Sequence, residues 1–203
     1  MTFRLEWRTP DAPGTAMRLA SVVGGHVDQQ EPGGEAPRGP GLIVPLVGGE
    51  VVVVPDEGPD RLVLGTLSPA PDADPAAALR GAPVLLGVGW ATVDADRALP
   101  AIAAAVGVEP GAFRSVSGDE SLGAAAHVGR IGSLAVVVLE PSTEGRVAAA
   151  LARVGEGPCA IYVSTSSPAA TQPGPLGPAI VTMADRRWGP FVVAVRRRVA
   201  APR

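Results

Sequence analysis

Lysine is absent from this chain, and all 17 basic residues are arginine. Against 20 acidic residues they leave a formal net charge of -3, which excludes a general attraction to nucleic acid or to anionic membrane. With 26 Gly and 22 Pro in the same chain, the arginine bias reads as a coding preference and not as a mechanism. Cysteine occurs once, so no internal disulfide can form. That residue, Cys159, lies in the apolar run Cys159-Ala160-Ile161-Tyr162-Val163, where a buried thiol behaves as a small hydrophobe. Aromatic residues are only 3% of the chain, and the histidines are two, His26 and His127. No apolar stretch approaches the ~20 residues that cross a bilayer. The opening Met1-Thr2-Phe3-Arg4-Leu5-Glu6 is charged and lacks the apolar core of a signal peptide. The expected location is cytoplasmic, with neither nucleic acid nor membrane as partner.

What is present is a repeated pattern. Apolar residues make up 46% of 203, enough for one large domain or two small ones. Phe3, Leu5 and Trp7 alternate with Arg4, Glu6 and Arg8, the signature of a half-buried strand. Pro10 to Pro13 turns into a helix carrying Ala16, Leu19, Ala20 and Val23, stopped by Gly24-Gly25. Strands follow at Leu42–Val47 and Val51–Val54, joined through Gly48-Gly49-Glu50, and at Arg61–Leu67. After the Pro- and Ala-rich stretch 68–83, the order returns. It brings a strand at Val84–Val93 and a helix opened by Asp94-Ala95-Asp96 with the stripe Leu99, Ile102, Ala103 and Val106. A Gly/Ser-rich stretch then leads to strands at Leu122–Val128 and Leu134–Leu139, which turn through Gly129-Arg130-Ile131-Gly132. A repeat of roughly 70 to 85 residues constrains the fold more than any single element. The tail differs: a short helix over Val147–Val154, then strands at Cys159–Ser164, Ala179–Met183 and Phe191–Arg197. Its Trp188-Gly189-Pro190 separates the last two strands.

Two segments carry a resemblance. VGWATVDADRALPAIAAAVG resembles the opening strand and helix of a vicinal oxygen chelate module, the superfamily of glyoxalases and bleomycin-resistance proteins. LAVVVLEPSTEGRVAAALARVGEGPCAIYV resembles the module junction of methylmalonyl-CoA epimerases, with Leu139-Glu140-Pro141, an amphipathic helix and Gly155-Glu156-Gly157. A fainter version stands at TFRLEWRTPDAPGTAMRLASVVGG. The resemblance implies an α+β fold of tandem βαβββ modules. These form a curved mixed sheet with a cup-shaped concave face and helices on the outside. The division implied is an N-terminal module over 1–67, a linker over 68–83, a second module over 84–141, and a helix with C-terminal strands over 142–203. The cup is built either by the first and second modules or by the second module and the tail.

Metal enzymes of that superfamily place His, Glu or Gln on the first and last strands of each module. Carried onto this chain, those positions are Gly87, Val137, Ala160 and Val193, with Arg4 and Val51 in the N-terminal module. None offers a neutral or anionic donor, so no metal and no cofactor is expected. The spacing puts Glu140 on the opposite face from Val137.

The remaining candidates are few. Arg4, Glu6 and Arg8 share a strand face and can hold an anionic ligand by charge-assisted hydrogen bonds, or pair among themselves. His127 lies among small residues, Gly123 to Ala126, and is a weak candidate base, as is Glu6. Trp188 is the best aromatic candidate for a pocket rim or subunit interface, whereas Trp7 belongs in the core. The first expectation is a metal-independent protein binding a small organic ligand, of the glyoxalase/bleomycin-resistance type. Its alternatives are a diverged lyase or isomerase acting on a small or CoA-linked substrate, and a non-catalytic scaffold. A homodimer is the oligomeric state that the resemblance implies.

Overall fold

The computed structural model describes residues 3–29, 41–65, 83–142, 144–165, 169–183 and 189–196. Its elements are β1 (Phe3–Thr9), α1 (Ala12–Val23), β2 (Asp28–Gln29), β3 (Leu42–Leu46), β4 (Gly49–Pro55), β5 (Arg61–Leu64), β6 (Leu85–Ala91) and α2 (Ala95–Val106). The second part continues with β7 (Arg114–Asp119), β8 (Ala124–Ile131), β9 (Leu134–Pro141), α3 (Arg146–Val154), β10 (Gly157–Thr165), β11 (Ala179–Thr182) and β12 (Phe191–Arg196). The class is α+β, with mixed sheets and three α-helices among the described residues.

The strands form two sheets, ordered β2-β3-β4-β1-β5 and β11-β12-β10-β6-β9-β8-β7. The first five strands repeat the topology of β7-β8-β9-β6-β10. In each, the opening strand pairs parallel with the fourth strand of its module (β1 with β4, β6 with β9) and antiparallel with the next one (β5 or β10). The larger sheet joins the second module to the tail and so decides between the two cups considered above. The N-terminal sheet has no counterpart of β11 or β12 among the described residues.

The same local chemistry builds both openings. Thr9 and Thr92, both buried, accept hydrogen bonds from the backbone N–H of Asp11 (3.3 Å) and Asp94 (3.2 Å). Those aspartates then cap α1 and α2, accepting from Gly14 N at 2.9 Å and Arg97 N at 3.0 Å. An N-cap of this kind is worth about 1 kcal/mol. Gly24 and Gly107 end the two helices at φ 71° and 72°, a left-handed conformation that glycine adopts without steric cost.

Alternation sorts the faces. Phe3, Leu5 and Trp7 are buried with Ala16, Leu19 and Val23 of α1 and with Val88, Ile161 and Val192 of the larger sheet. On the larger sheet, α2 packs Ile102 and Val106 against Val136 and Val138. Both longer helices therefore cover the faces opposite to the charged row of β1 and to Gly87, Gly89 and Ala91 of β6.

Two elements differ from the sequence reading. β8 runs on to Ile131, with the turn at Gly132-Ser133 and Gly132 at φ 58°, so Gly129 to Ile131 belong to the strand. Gly129 fits there because Phe113 presses on it, leaving 2.9 Å from its ring to an added Cβ. The Gly/Ser-rich stretch contains a strand, β7, which lies at the sheet edge with Arg114 to Ser117 exposed. Because it buries neither face there, Arg114-Ser115-Val116-Ser117 shows no apolar period.

Candidate functional site

The face shared by Gly87, Gly89, Ala91, Ala135, Val137, Leu139, Ala160, Tyr162 and Val193 follows from the strand register. Tyr162 Oη donates to Asp119 Oδ2 at 2.8 Å across this face. The two residues stand on β10 and β7, four strand spacings apart, which in a flat sheet means about 19 Å. A direct hydrogen bond therefore requires a curled sheet and marks this face as the concave one.

That concavity is filled by the chain itself. Asp119 is fully buried and also accepts from Ser121 Oγ at 2.5 Å and Leu122 N at 3.2 Å. Leu176, from the connection between β10 and β11, lies over Gly87, and Pro173 O accepts from Glu120 N at 3.2 Å. The helix α3 runs from the end of β9 to the start of β10 and buries Val147 and Ala150 in the same cluster. Burial raises the Tyr162 hydroxyl well above its usual range, and the neighbouring Asp119 carboxylate adds to this. Burial likewise pushes the Cys159 thiol up to about 12, so that side chain is a core group and no nucleophile.

The N-terminal sheet presents the corresponding face with charge instead of glycine. Arg4, Glu6 and Arg8 take the places that Gly87, Gly89 and Ala91 hold in the second module. Arg4 pairs with Glu50 at 3.3 Å, and Arg8 Nη2 donates to Glu6 Oε2 at 2.9 Å. Arg61 stands opposite Arg8 in the β1–β5 register and donates to Asp56 Oδ2 at 2.9 Å. Glu6 is thus held by Arg8, a poor start for a general base but a preorganised charged surface. Val51, fully buried opposite Leu5, faces α1; Glu50 and Val52 are the β4 residues on the charged side.

Other expected residues lie elsewhere. His127 pairs with Val138 on the face that α2 covers, and the structure does not bring it near Arg4, Glu6 or Arg8. Trp188 lies outside the described residues. Trp7 is fully buried in the core. The two motif carboxylates tie elements together. Glu140 accepts from Ala95 N at 2.9 Å at the start of α2, on the side away from Val137. Glu156 accepts from Thr92 Oγ1 at 2.7 Å, from Val93 N at 2.9 Å and from Arg97. The Arg97 contact, followed by those from Thr92 and Val93, lowers the Glu156 carboxyl to about 2.

A cavity of about 630 Å³ lies at the far end of β1 and β4, with Pro10, Pro55, Asp56 and Glu57 in its lining. Its position follows from a difference between the two halves. Between β9 and β10 stands α3; between β4 and β5 there are only Asp56 to Asp60. The short connection is held by Asp56, which accepts from Gly58 N at 3.0 Å and whose backbone N–H donates to Thr9 O. No pattern in the sequence announces this cavity, because it arises from an element that the first half lacks.

No protein-family profile and no curated protein matches the chain by sequence. Among solved structures, a triple mutant of 4-hydroxymandelate synthase from Streptomyces coelicolor superposes with a TM-score of 0.59 at 13% identity, covering 98% of this chain and 93% of that one. The fold is that of the vicinal oxygen chelate superfamily. A methylmalonyl-CoA epimerase from Streptomyces coelicolor, in complex with 2-nitronate-propionyl-CoA, aligns with a TM-score of 0.45 at 19% identity over 59% of this chain and 97% of its own. A hypothetical protein from Bacillus halodurans aligns with a TM-score of 0.43 at 17% identity over 60% and 99%.

The superfamily's metal can be tested against this geometry. Gly87, Val137, Ala160 and Val193 share the concave face but carry no donor atom, and the last three are fully buried. A Cβ at Gly87 would lie 2.7 Å from the Ala135 carbonyl oxygen and 3.2 Å from Leu176 Cδ1. Among the described residues no group of three His, Cys, Asp or Glu converges. These residues do not fit a divalent ion at the superfamily's position. No helix among the described residues is long and apolar enough to cross a membrane.

Proposed function

We propose that this protein is a metal-independent binder of a small organic ligand, using the end of its N-terminal half and not the C-terminal cup. The cavity beside Pro10, Pro55, Asp56 and Glu57 carries this reading, since about 630 Å³ falls within the roughly 300–1,000 Å³ of small-molecule sites. Arg8 and Arg61, fixed by Glu6 and Asp56, support its rim with charges already oriented. The protein works in the cytoplasm as a homodimer, without cofactor.

The test is a thermal melt of EDTA-treated protein against a panel of small organic cations, anions and neutral heteroaromatics. A ligand held only by the folded state raises the melting temperature by mass action. The reading requires at least one compound class to raise it with no metal added. If every shift depended on added Ni²⁺, Co²⁺, Mn²⁺ or Zn²⁺, or if no class gave one, it would fall.

One observation favours a second reading, a non-catalytic scaffold: the concave face of the larger sheet is packed with Tyr162, Leu176 and Leu122. A flat response to the whole panel, together with a stable dimer by light scattering, would move that reading to the front.

A further inference from the structure

We infer that the N-terminal cavity takes a protonated organic amine with a small apolar body. This rests on the preceding reading that the cavity is a small-molecule site, and adds the chemical class of its ligand.

The chemistry of the lining points one way. Pro10 and Pro55 offer rigid apolar surface and no N–H donor, and Asp56 and Glu57 offer only acceptor oxygens. The described lining therefore contains no side-chain donor. A ligand carboxylate or phosphate would find nothing there to bond, whereas an ammonium N–H finds acceptors.

The two carboxylates differ in their availability. Asp56 is nine-tenths buried and already serves Arg61 and the Gly58 N–H. Glu57 is exposed and has no ion pair or hydrogen bond among the described residues. The lining thus holds one compensated and one uncompensated negative charge, which suits a monocation.

The open end accounts for the room. In the second half, Val147 and Ala150 of α3 are buried at the corresponding end of the sheet. In the first half, no described helix follows β4, so a ligand body can rest on Pro10 and Pro55 where α3 would pack.

The experiment uses three compounds of nearly one shape: benzylamine, benzyl alcohol and benzoate. Each is titrated calorimetrically into the full, EDTA-treated chain at pH 7. The expected order puts benzylamine about fivefold tighter than benzyl alcohol, the size of one partly exposed ion pair, with benzoate weakest. Glu57→Gln should bring benzylamine to the affinity of the alcohol, while the distant Glu109→Gln changes nothing. Benzoate or the alcohol binding as tightly as the amine would overturn the ligand class and leave the small-molecule site standing. An unaltered benzylamine affinity in Glu57→Gln would overturn it as well. Failure of all three to bind overturns the inference, and the wider panel above then decides the underlying reading.

Discussion

Tyr162 on β10 and Asp119 on β7 meet through a 2.8 Å hydrogen bond across a face where their strands are four places apart. This bond records the curl of the sheet and occupies the middle of its concavity. Four consequences can be measured.

Tyr162→Phe removes the donor and leaves Asp119 buried with two of its three side-chain hydrogen bonds. Loss of a partner to a buried carboxylate costs about 1–3 kcal/mol. Urea unfolding monitored by circular dichroism should show the midpoint fall by that amount. An unchanged midpoint would mean that the pair contributes nothing to closing the sheet.

The glycine floor of the cup does not tolerate side chains. At Gly89 an added Cβ lies 2.9 Å from Ala160 Cβ, 3.1 Å from Leu139 Cδ1 and 3.3 Å from Tyr162 Cε2. Gly89→Ala should therefore destabilise by about 1–3 kcal/mol through overpacking. Gly87→His, which restores a donor at a superfamily metal position, should give no stoichiometric Ni²⁺ or Zn²⁺ binding by calorimetry. One metal per chain would show that the cup has more room than its packing indicates.

Cys159 should resist Ellman's reagent in the native protein and react fully once the chain is unfolded. Its thiol and the Tyr162 hydroxyl both hold their protons more tightly when folded. Their stability contributions are complete below the unfolded values, about 9 and 10, and decline as pH rises above them. A melting temperature that stays level from pH 8 to 11 contradicts this.

Glu156 acts at the other end of the scale. Its folded carboxyl lies at about 2 against an ordinary 4.5, so its contribution is present above the higher value and fades as pH falls toward the lower. Glu156→Gln should lower stability at pH 7 and flatten the wild-type loss of stability between pH 4.5 and 2. Parallel acid profiles for the two proteins would rule out this role.

How much was readable in advance depends on whether a signal is local. Phe3, Leu5 and Trp7 declare a half-buried strand by period two, and the twin helix starts at Asp11 and Asp94 are capping chemistry within three residues. The resemblance at Leu139-Glu140-Pro141 and Gly155-Glu156-Gly157 led to the superfamily's fold, and the structure shows these residues bracing α2. Edge strand β7 escaped notice because Arg114 to Ser117 bury neither face.

The sequence by itself determined the class of fold, the doubled module and the apolar character of every position where the superfamily holds its metal. Those depend on periodicity and residue type, which short stretches express. Only the tertiary structure decided that the cup belongs to the second module and tail, that Tyr162 and Asp119 close it, and that a cavity opens where the first half lacks a helix. These depend on curvature and on contacts between residues far apart in the chain, which no local pattern encodes.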